Sequence, residues 1–387
     1  MKPDIRLALH YVLLFGATGV SLPFAGLWLT SRGLTGAEIG VLLAAPMLGR
    51  LVTGPMIAVW ADGFRLRRTP MAWLGLAAAL GYGLAGLCDQ SLIRAAAWFV
   101  AASAAAALIP LTDVLNLRVA RRTGHAFAFP RGCGSAAFVC ANVAVGALLT
   151  AAPVDLVIAW ITAAGAAIGL YAWRVLPAEP VSATGPVDGM ARFRGLGRLV
   201  RDPIFVIALL AIGAVQAAHA FYYAFSAILW KAQGIDERTT GLLWAFSVII
   251  EIGFMWWVEP WRRRLGIGPW AVLMAGVVAA VVRWGVMALA PPLWALWPLQ
   301  TLHALTFAAT YLAGVQIIDR LTPDDSHTAA QTLNSMLAAG VLIGLATLAS
   351  GPLYDQGGAL GYLAMAAMAL VGGGLAWAVR RRLAEPV

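Results

Sequence analysis

Ionisable side chains lie inside long apolar runs of this sequence, where a charge is costly and is usually kept for function. Two of them are Asp113, in the run Ile-Pro-Leu-Thr-Asp, and Arg131, in Pro-Arg-Gly-Cys-Gly-Ser. An opposite charge nearby would keep each of them ionised in a medium of low dielectric constant. A guanidinium can hold a carboxylate through two parallel hydrogen bonds, and a carboxylate can accept bonds from hydroxyl groups. The two residues therefore form a candidate substrate-binding pair; alternatively, they are an ion pair that only locks two helices together.

A second set of ionisable residues, Glu251, Arg283 and His303, lies farther along the chain, again in apolar runs. A carboxyl group that is either paired or protonated is what proton coupling requires, and Arg283 is the expected partner of Glu251. Histidine titrates in the physiological pH range, so His303 is a candidate for carrying a proton. The alternatives are a static Glu–Arg pair and a core histidine whose hydrogen bonds are satisfied.

Polar and aromatic residues form a stripe in the run Gln-Ala-Ala-His-Ala-Phe-Tyr-Tyr-Ala-Phe-Ser. Helical spacing puts His219, Tyr222 and Tyr223 on one face of a helix. This face is predicted to line a cavity and to contact substrate. The alternative is a belt of aromatic residues at the membrane surface.

The composition restricts the class of protein. The chain has 387 residues, of which 61% are hydrophobic and 12% charged, with a mean hydropathy of +0.81. Soluble proteins are about 45–50% apolar and about 25% charged. A soluble enzyme, a nucleic-acid-binding module and a disordered chain are therefore excluded, and a membrane protein remains.

Twelve apolar runs are long enough to cross a membrane as helices. One long polar stretch, rich in proline and arginine, divides them six and six. We predict an all-α membrane protein with 12 transmembrane helices in two six-helix bundles: residues 1–175, a cytoplasmic linker at 176–203, and residues 204–387. The predicted spans are 7–30, 37–61, 70–88, 92–119, 126–151, 154–175, 204–231, 238–259, 267–289, 292–319, 327–353 and 359–380.

The basic residues show the orientation. Most of the 27 lysine and arginine residues fall on the same side as the N-terminus when the spans are threaded, and cytoplasmic loops are the basic ones. The net charge of +9 is thus a topology signal, and no nucleic-acid partner is expected. The sequence predicts a multi-pass protein of a bacterial-type inner (plasma) membrane with both termini in the cytoplasm.

A basic loop closes the second span, where Asp62 is followed by Arg65, Arg67 and Arg68. An acid next to a basic cluster can bridge helix ends, so this loop is predicted to be a conformational latch. The alternative is a solvated loop that only sets the topology. The sequence has no G-x-x-x-x-G-K-[ST], H-E-x-x-H, C-x-x-C or G-x-S-x-G motif. We therefore expect no enzyme activity, no metal site and no cofactor beyond a proton as coupling ion.

Six plus six helices with this loop resemble the major facilitator superfamily. Within it, the chain is similar to the phenylpropionic acid permease group and more distantly to the lactose permease group. The resemblance covers nearly the whole chain. It is carried by segments 21–29, 109–113, 131–138, 218–230, 281–287 and 302–307.

The resemblance implies roles for several residues. Asp113 and Arg131 match the acid and the arginine of the lactose permease sugar site, and Glu251, Arg283 and His303 match its substrate and proton-coupling network. Two positions depart from that pattern. Thr306 stands where the proton-carrying carboxylate is expected, and Phe138 stands where a sugar-stacking tryptophan is expected.

The resemblance thus implies a secondary transporter that takes up a small aromatic acid, such as 3-phenylpropionate, with protons by alternating access. Arg131 would hold the carboxylate, Phe138, Tyr222 and Tyr223 would pack the ring, and Glu251 and His303 would carry protons. The alternatives are a sugar or nucleoside proton symporter, an exporter of small organic molecules, a membrane-embedded enzyme and a sensor. The expected partners are the substrate and the lipid bilayer, and one chain is expected to function as a monomer.

Overall fold

The computed structural model describes residues 1–181, 196–323 and 326–384, and these residues are almost entirely helical. In the first part of the chain the helices are α1 (Pro3–Ser31), α2 (Gly36–Asp62), α3 (Arg68–Leu87), α4 (Ser91–Thr123), α5 (Ala128–Leu149) and α6 (Leu156–Arg174). In the second part they are α7 (Leu196–Leu199), α8 (Pro203–Ala217), α9 (Ala220–Ala232), α10 (Glu237–Gly253), α11 (Glu259–Arg264), α12 (Pro269–Met287), α13 (Leu293–Thr301), α14 (Thr310–Arg320), α15 (His327–Met336), α16 (Ile343–Gly357) and α17 (Tyr362–Ala384).

Eleven helices within the described residues are long and apolar enough to cross a membrane. The last of them, Ala329–Leu383, has 55 residues. At about 1.5 Å per residue it is more than twice as long as a hydrocarbon core of about 30 Å. Gly358, with φ at 52°, begins a 3₁₀ turn that separates α16 from α17. The prediction of an all-α, multi-pass membrane protein is confirmed.

Three of the predicted spans contain π-helical turns that were not expected from the sequence. These turns are Phe254–Val258, Ala304–Ala309 and Leu337–Leu342. A π turn bonds residue i to i+5 and is found often at functional sites. The first begins three residues after Glu251 and the second directly after His303, so both interrupt helices that carry candidate site residues.

The described chain divides into two compact units. The first consists of Met1–Leu34, Gly49–Ala183 and Trp230–Ala245. Within it, α1 packs against α4, α5 and α6, and α3 packs against α4 and α6. A Cβ atom added to Gly75 would lie 2.5 Å from the backbone nitrogen of Gly169. The Gly165-x-x-x-Gly169 pair is therefore a packing motif, as its spacing predicts.

The second unit consists of Thr35–Leu48, Thr184–Leu229 and Phe246–Val387. Within it, α8 packs against α14 and α17, and α12 packs against α14 and α17. The first turn of α2 belongs to this unit, where the carboxylate of Asp355 accepts hydrogen bonds from the backbone N–H groups of Gly36 and Ala37. The division into bundles 1–175 and 204–387 stays a prediction, and residues 182–195 of the predicted linker lie outside the described residues.

Candidate functional site

In the first unit, Asp113 of α4 and Arg131 of α5 come together as the sequence predicts. The guanidinium Nε of Arg131 lies 3.6 Å from Oδ1 of Asp113, and each side chain is 36% exposed. The hydroxyl of Tyr11, on α1, donates a 2.5 Å hydrogen bond to the same oxygen. The guanidinium lies over the ring of Phe15, 4.3 Å from its centroid. The carboxylate is thus shared between a phenol and a guanidinium, and neither side chain is sealed from solvent.

Asn116 supports this cluster from one turn farther along α4. It is fully buried, its Nδ2 donates to the carbonyl oxygen of Phe127, and its Oδ1 lies 3.0 Å from Nε2 of His125. These bonds tie the end of α4 to the residue before α5. They hold Asp113 and Arg131 on facing helices.

Phe138 lies two turns beyond Arg131 on α5 and is 8% exposed. Its carbonyl oxygen accepts a hydrogen bond from Asn142, and its backbone packs against Gly19, where an added Cβ would lie 2.6 Å from that carbonyl oxygen. Phe138 therefore fixes the contact between α1 and α5. The aromatic ring against Arg131 is that of Phe15.

In the second unit, Arg283 of α12 is completely buried. Its NH1 donates to Nδ1 of His303 at 3.0 Å and to the hydroxyl of Thr306 at 3.1 Å. Its NH2 donates to Oε1 of Gln300 at 2.6 Å. The guanidinium also faces two aromatic rings, with centroids 4.8 Å away for Tyr222 and 4.5 Å away for Trp284.

His303 connects this arginine to Glu251. Its Nε2 lies 3.5 Å from Oε2 of Glu251, and the two side chains are 7% and 14% exposed. Because Nδ1 accepts from Arg283, the ring proton of a neutral His303 is on Nε2, facing the carboxylate. This differs from the direct Arg283–Glu251 pair that the sequence suggests. The histidine lies between the two because α12 directs the arginine towards the residues around the π turn at Ala304–Ala309.

His219 is the fourth ionisable residue of the same network and is fully buried. Its Nδ1 lies 3.0 Å from the carbonyl oxygen of Gln216, and its Nε2 lies 3.0 Å from the hydroxyl of Thr306. Its ring is stacked on Tyr223, with centroids 5.7 Å apart. Thr306 therefore links His219 to Arg283, at the position where a titratable carboxylate was expected from the lactose permease pattern.

The predicted latch lies in the first unit. Asp62 is exposed, and its carboxylate is 3.9 Å from NH1 of Arg67. The stronger contacts of this loop are with the segment after α6: the backbone N–H of Arg67 donates to the carbonyl of Glu179, and Arg68 donates to the carbonyl of Leu176. Burial and the neighbouring Arg118 lower the pKa of the Arg67 guanidinium from its usual value.

Glu179 completes this loop contact. Its Oε2 lies 2.8 Å from NH1 of Arg122, and Val181 donates its backbone N–H to the carbonyl of Arg65. The start of the predicted linker is therefore paired with the predicted latch. Within the described residues there is no group of three or more histidine, cysteine or acidic residues that could hold a metal ion.

Several residues of these clusters were missed from the sequence. Tyr11 and Phe15 are four residues apart on α1 and so share a face, which is the signal that could have found them. Trp284 follows Arg283 directly, and Gln300 is one turn before His303. Glu179 could not have been found from the sequence, because nothing in its local sequence predicts a contact with Arg67.

The chain is similar over nearly its whole length to known membrane transporters. Residues 4–364 match the MFS_1 like family. The probable 3-phenylpropionic acid transporter of Escherichia coli is 30% identical over 369 residues, which is 94% of each chain. The maltose permease of Geobacillus stearothermophilus is 27% identical over 363 residues, covering 90% of this chain and 87% of the permease.

Solved structures show the same fold. The crystal structure of the nucleoside transporter NupG superposes with a TM-score of 0.79 at 17% identity and covers 100% of both chains. A bacterial homologue of the human lysosomal transporter Spinster, in an inward-facing conformation, gives a TM-score of 0.73 at 15% identity and covers 98% of both chains.

Proposed function

This chain belongs to the MFS_1 like family and is a secondary transporter, and from that premise we propose that its cargo is a small aromatic carboxylate such as 3-phenylpropionate. The substrate enters the cell together with protons by alternating access. The Escherichia coli relative at 30% identity is a probable 3-phenylpropionic acid transporter, which supports this choice.

The observation that carries the proposal is that aromatic rings accompany an arginine in each unit. Arg131 lies over Phe15, and Arg283 lies over Tyr222 and Trp284. An aryl carboxylate needs a cation for its anionic end and ring faces for its apolar end. We assign Asp113, Arg131 and Phe138 in the first unit, and His219, Tyr222 and Tyr223 in the second unit, to substrate binding. Phe138 lies on the same helix as Arg131, whereas the ring of Tyr222 reaches Arg283 from a neighbouring helix.

Proton coupling is assigned to Glu251, His303 and Arg283. A carboxyl group 3.5 Å from an imidazole and removed from solvent can take up a proton without a large rearrangement. Thr306 cannot titrate, so the carboxylate of Glu251 is the acid of this network that would bind the proton. The latch formed by Asp62, Arg65, Arg67 and Arg68 is proposed to control the conformational change.

A sugar or nucleoside is the second candidate cargo, and export is the second candidate direction. The partly exposed carboxylate of Asp113, which already accepts the hydroxyl of Tyr11, is the feature that favours a polyhydroxylated ligand. The maltose permease relative supports the same alternative. We further propose that one chain functions alone in a bacterial inner membrane, with both termini in the cytoplasm and with no cofactor other than the proton.

The experiment is uptake of labelled 3-phenylpropionate into proteoliposomes, with and without an inward proton gradient. Gradient-driven accumulation that excess unlabelled 3-phenylpropionate inhibits, and that maltose and uridine do not, is the expected result. Competition by maltose or uridine alone would select the second candidate. Accumulation that is the same with and without the gradient would contradict proton coupling while leaving the aromatic acid as cargo.

A further inference from the structure

Arg283 is a buried cation that no carboxylate of the described residues contacts directly. Its side chain is completely buried, and its hydrogen-bond partners include the imidazole of His303, the hydroxyls of Thr306 and Tyr222 and the amide of Gln300, all of them neutral groups. No carboxylate in the described part of the chain lies within 4 Å of it. An isolated buried charge is strongly unfavourable unless an opposite charge joins it. Arg283 therefore has no carboxylate in direct contact, and Glu251 reaches it only through His303.

One edge of the guanidinium, formed by its Nε and NH2 atoms, is only partly hydrogen-bonded. Nε is buried and has no hydrogen-bond partner among the described residues, and NH2 donates to Oε1 of Gln300 at 2.6 Å. The N–H groups on Nε and NH2 point in parallel and match the two oxygens of a carboxylate. Only one of these two positions is occupied, and it is occupied by a neutral amide oxygen.

Gln300 occupies the position that a carboxylate oxygen would take. Its Oε1 accepts both from Arg283 NH2 and from the hydroxyl of Tyr222, the latter at 3.3 Å. Two donors thus converge on one oxygen, and an amide has the shape of a carboxylate without its charge. The faces of Tyr222 and Trp284 border the guanidinium and offer an apolar surface for the remainder of an aryl acid.

Arg131 differs from Arg283 in its ion pairing and in its exposure to solvent. It has an acid partner, Asp113, at 3.6 Å, and it is 36% exposed. An anion that binds Arg131 must compete with a carboxylate that is already present. An anion that binds Arg283 replaces a neutral amide and brings a carboxylate into direct contact with the guanidinium.

We propose that Arg283 binds the carboxylate of the substrate through Nε and NH2, that Gln300 holds this position in the empty carrier, and that Glu251 takes up one proton when the carboxylate binds. This inference rests on the proposed function, because it assumes that the cargo is an acid. It moves the carboxylate from Arg131, to which the sequence assigned it, to Arg283.

The charge balance gives the coupling. In the empty carrier the ionised carboxylate of Glu251 is joined to Arg283 through His303, so the positive and negative charges of the network compensate each other. When the substrate carboxylate binds Arg283, Oε2 of Glu251 takes up a proton from the solution, and the network again has one positive and one negative charge. One carboxylate and one proton are bound per cycle, and transport moves no net charge. The titratable groups that surround the pair are His219, Tyr222, Tyr223, His303 and Tyr362.

The experiment measures proton uptake on binding. Purified protein in weakly buffered detergent solution, with a pH indicator, is titrated with 3-phenylpropionate and with its neutral amide, 3-phenylpropanamide. We expect about one proton taken up per bound acid, and no proton uptake with the amide, because the amide carries no charge. Binding of the acid without proton uptake in the wild type would overturn the proposal.

Four variants separate the roles. Arg283→Lys keeps the positive charge but loses the two parallel N–H groups of the guanidinium, and should weaken binding of 3-phenylpropionate at least about 10-fold. Glu251→Gln should bind the acid but take up no proton. Gln300→Glu places a permanent carboxylate on Arg283 and should weaken binding about 100-fold or more, because two like charges would compete for one cation. Arg32→Lys is the matched control, since Arg32 pairs with Asp155 at the end of α1, and its affinity should equal that of the wild type.

Folding is checked by the melting temperature of each variant. Gln300→Glu places a carboxylate in direct contact with Arg283, so it should melt at the wild-type temperature or higher while binding is lost. Wild-type affinity in Gln300→Glu, or in a folded Arg283→Lys, would overturn the proposal. If 3-phenylpropionate does not bind but benzoate or another acid does, with proton uptake that requires Arg283, the proposed cargo fails and the assignment of Arg283 holds. If no acid binds, both fail.

Discussion

The two ring nitrogens of His303 have different partners: Nδ1 is 3.0 Å from NH1 of Arg283, and Nε2 is 3.5 Å from Oε2 of Glu251. A histidine held in this way has a defined tautomer, with its proton on the side of the acid. The imidazole therefore transmits the charge state of Glu251 to the arginine. Proton coupling and anion binding need no direct contact between the acid and the arginine.

Glu251→Gln should separate exchange from accumulation. The amide keeps the shape and can accept from His303, but it cannot take up a proton. We expect gradient-driven accumulation of 3-phenylpropionate to fall to the equilibrium level, while exchange of internal for external substrate persists. Both are measured in proteoliposomes. Asp89→Asn is the matched control, since this acid is almost fully exposed beside Arg94 and should accumulate substrate normally; equal accumulation in Glu251→Gln would refute a proton-carrying role.

Tyr11→Phe should lower stability more than a comparable tyrosine substitution. The hydroxyl of Tyr11 donates to a charged carboxylate at 2.5 Å, whereas that of Tyr171 donates to the neutral carbonyl of Arg6 at 3.1 Å. A hydrogen bond to a charged group contributes about 1.5–3 kcal/mol, against about 1 kcal/mol for a neutral pair. The free energy of unfolding of Tyr11→Phe and Tyr171→Phe in detergent compares the two hydrogen bonds, and equal losses would contradict a stronger bond from Tyr11 to Asp113.

Gly169→Val should destabilise the first unit. A Cβ at this position would lie 2.9 Å from the carbonyl oxygen of Ala72 and from the backbone nitrogen of Leu76. Backbone atoms cannot move aside without separating α3 from α6, so we expect a loss of about 1–3 kcal/mol or more. Gly16→Ala on α1 is the control, because an added Cβ meets nothing within 4 Å there, and its thermal unfolding temperature should not fall.

Glu179→Gln should reduce stability in a salt-dependent way. Its carboxylate lies 2.8 Å from Arg122 and is 14% exposed, whereas that of Asp62 lies 3.9 Å from Arg67 and is 67% exposed. We expect Glu179→Gln to cost about 1 kcal/mol at low salt and less at high salt, and Asp62→Asn to cost less than that under both conditions. A Glu179→Gln effect that does not change with ionic strength would show that the pair with Arg122 is not its cause.

The fold was predictable because every transmembrane helix leaves a long apolar signal, and a single charge in such a run is conspicuous. The same reasoning found Asp113, Arg131, Glu251, Arg283 and His303. It predicted the pair of Asp113 with Arg131, but it did not predict that His303 lies between Glu251 and Arg283. Helical spacing describes residues on one helix and says little about which helix lies opposite.

Other contacts left no signal in the local sequence. Gln300 shares a helix face with His303, but the position of its amide oxygen between Arg283 and Tyr222 is seen only in the structure. The bond from Arg67 to Glu179 joins positions more than a hundred residues apart. These relationships are set by tertiary packing, which periodicity and composition do not encode.

The π turns have a consequence for how this family varies in length. A π turn contains one residue more than the α-helical turn it replaces, so the residues after Ala304–Ala309 are rotated by about 100° relative to an uninterrupted helix. Deleting one residue inside this segment would restore a regular helix with little strain. A one-residue deletion inside a regular helix such as α12 would instead turn every later side chain away from its neighbours. Single-residue gaps between related chains should therefore fall at the π turns, within helices that otherwise tolerate no insertion or deletion.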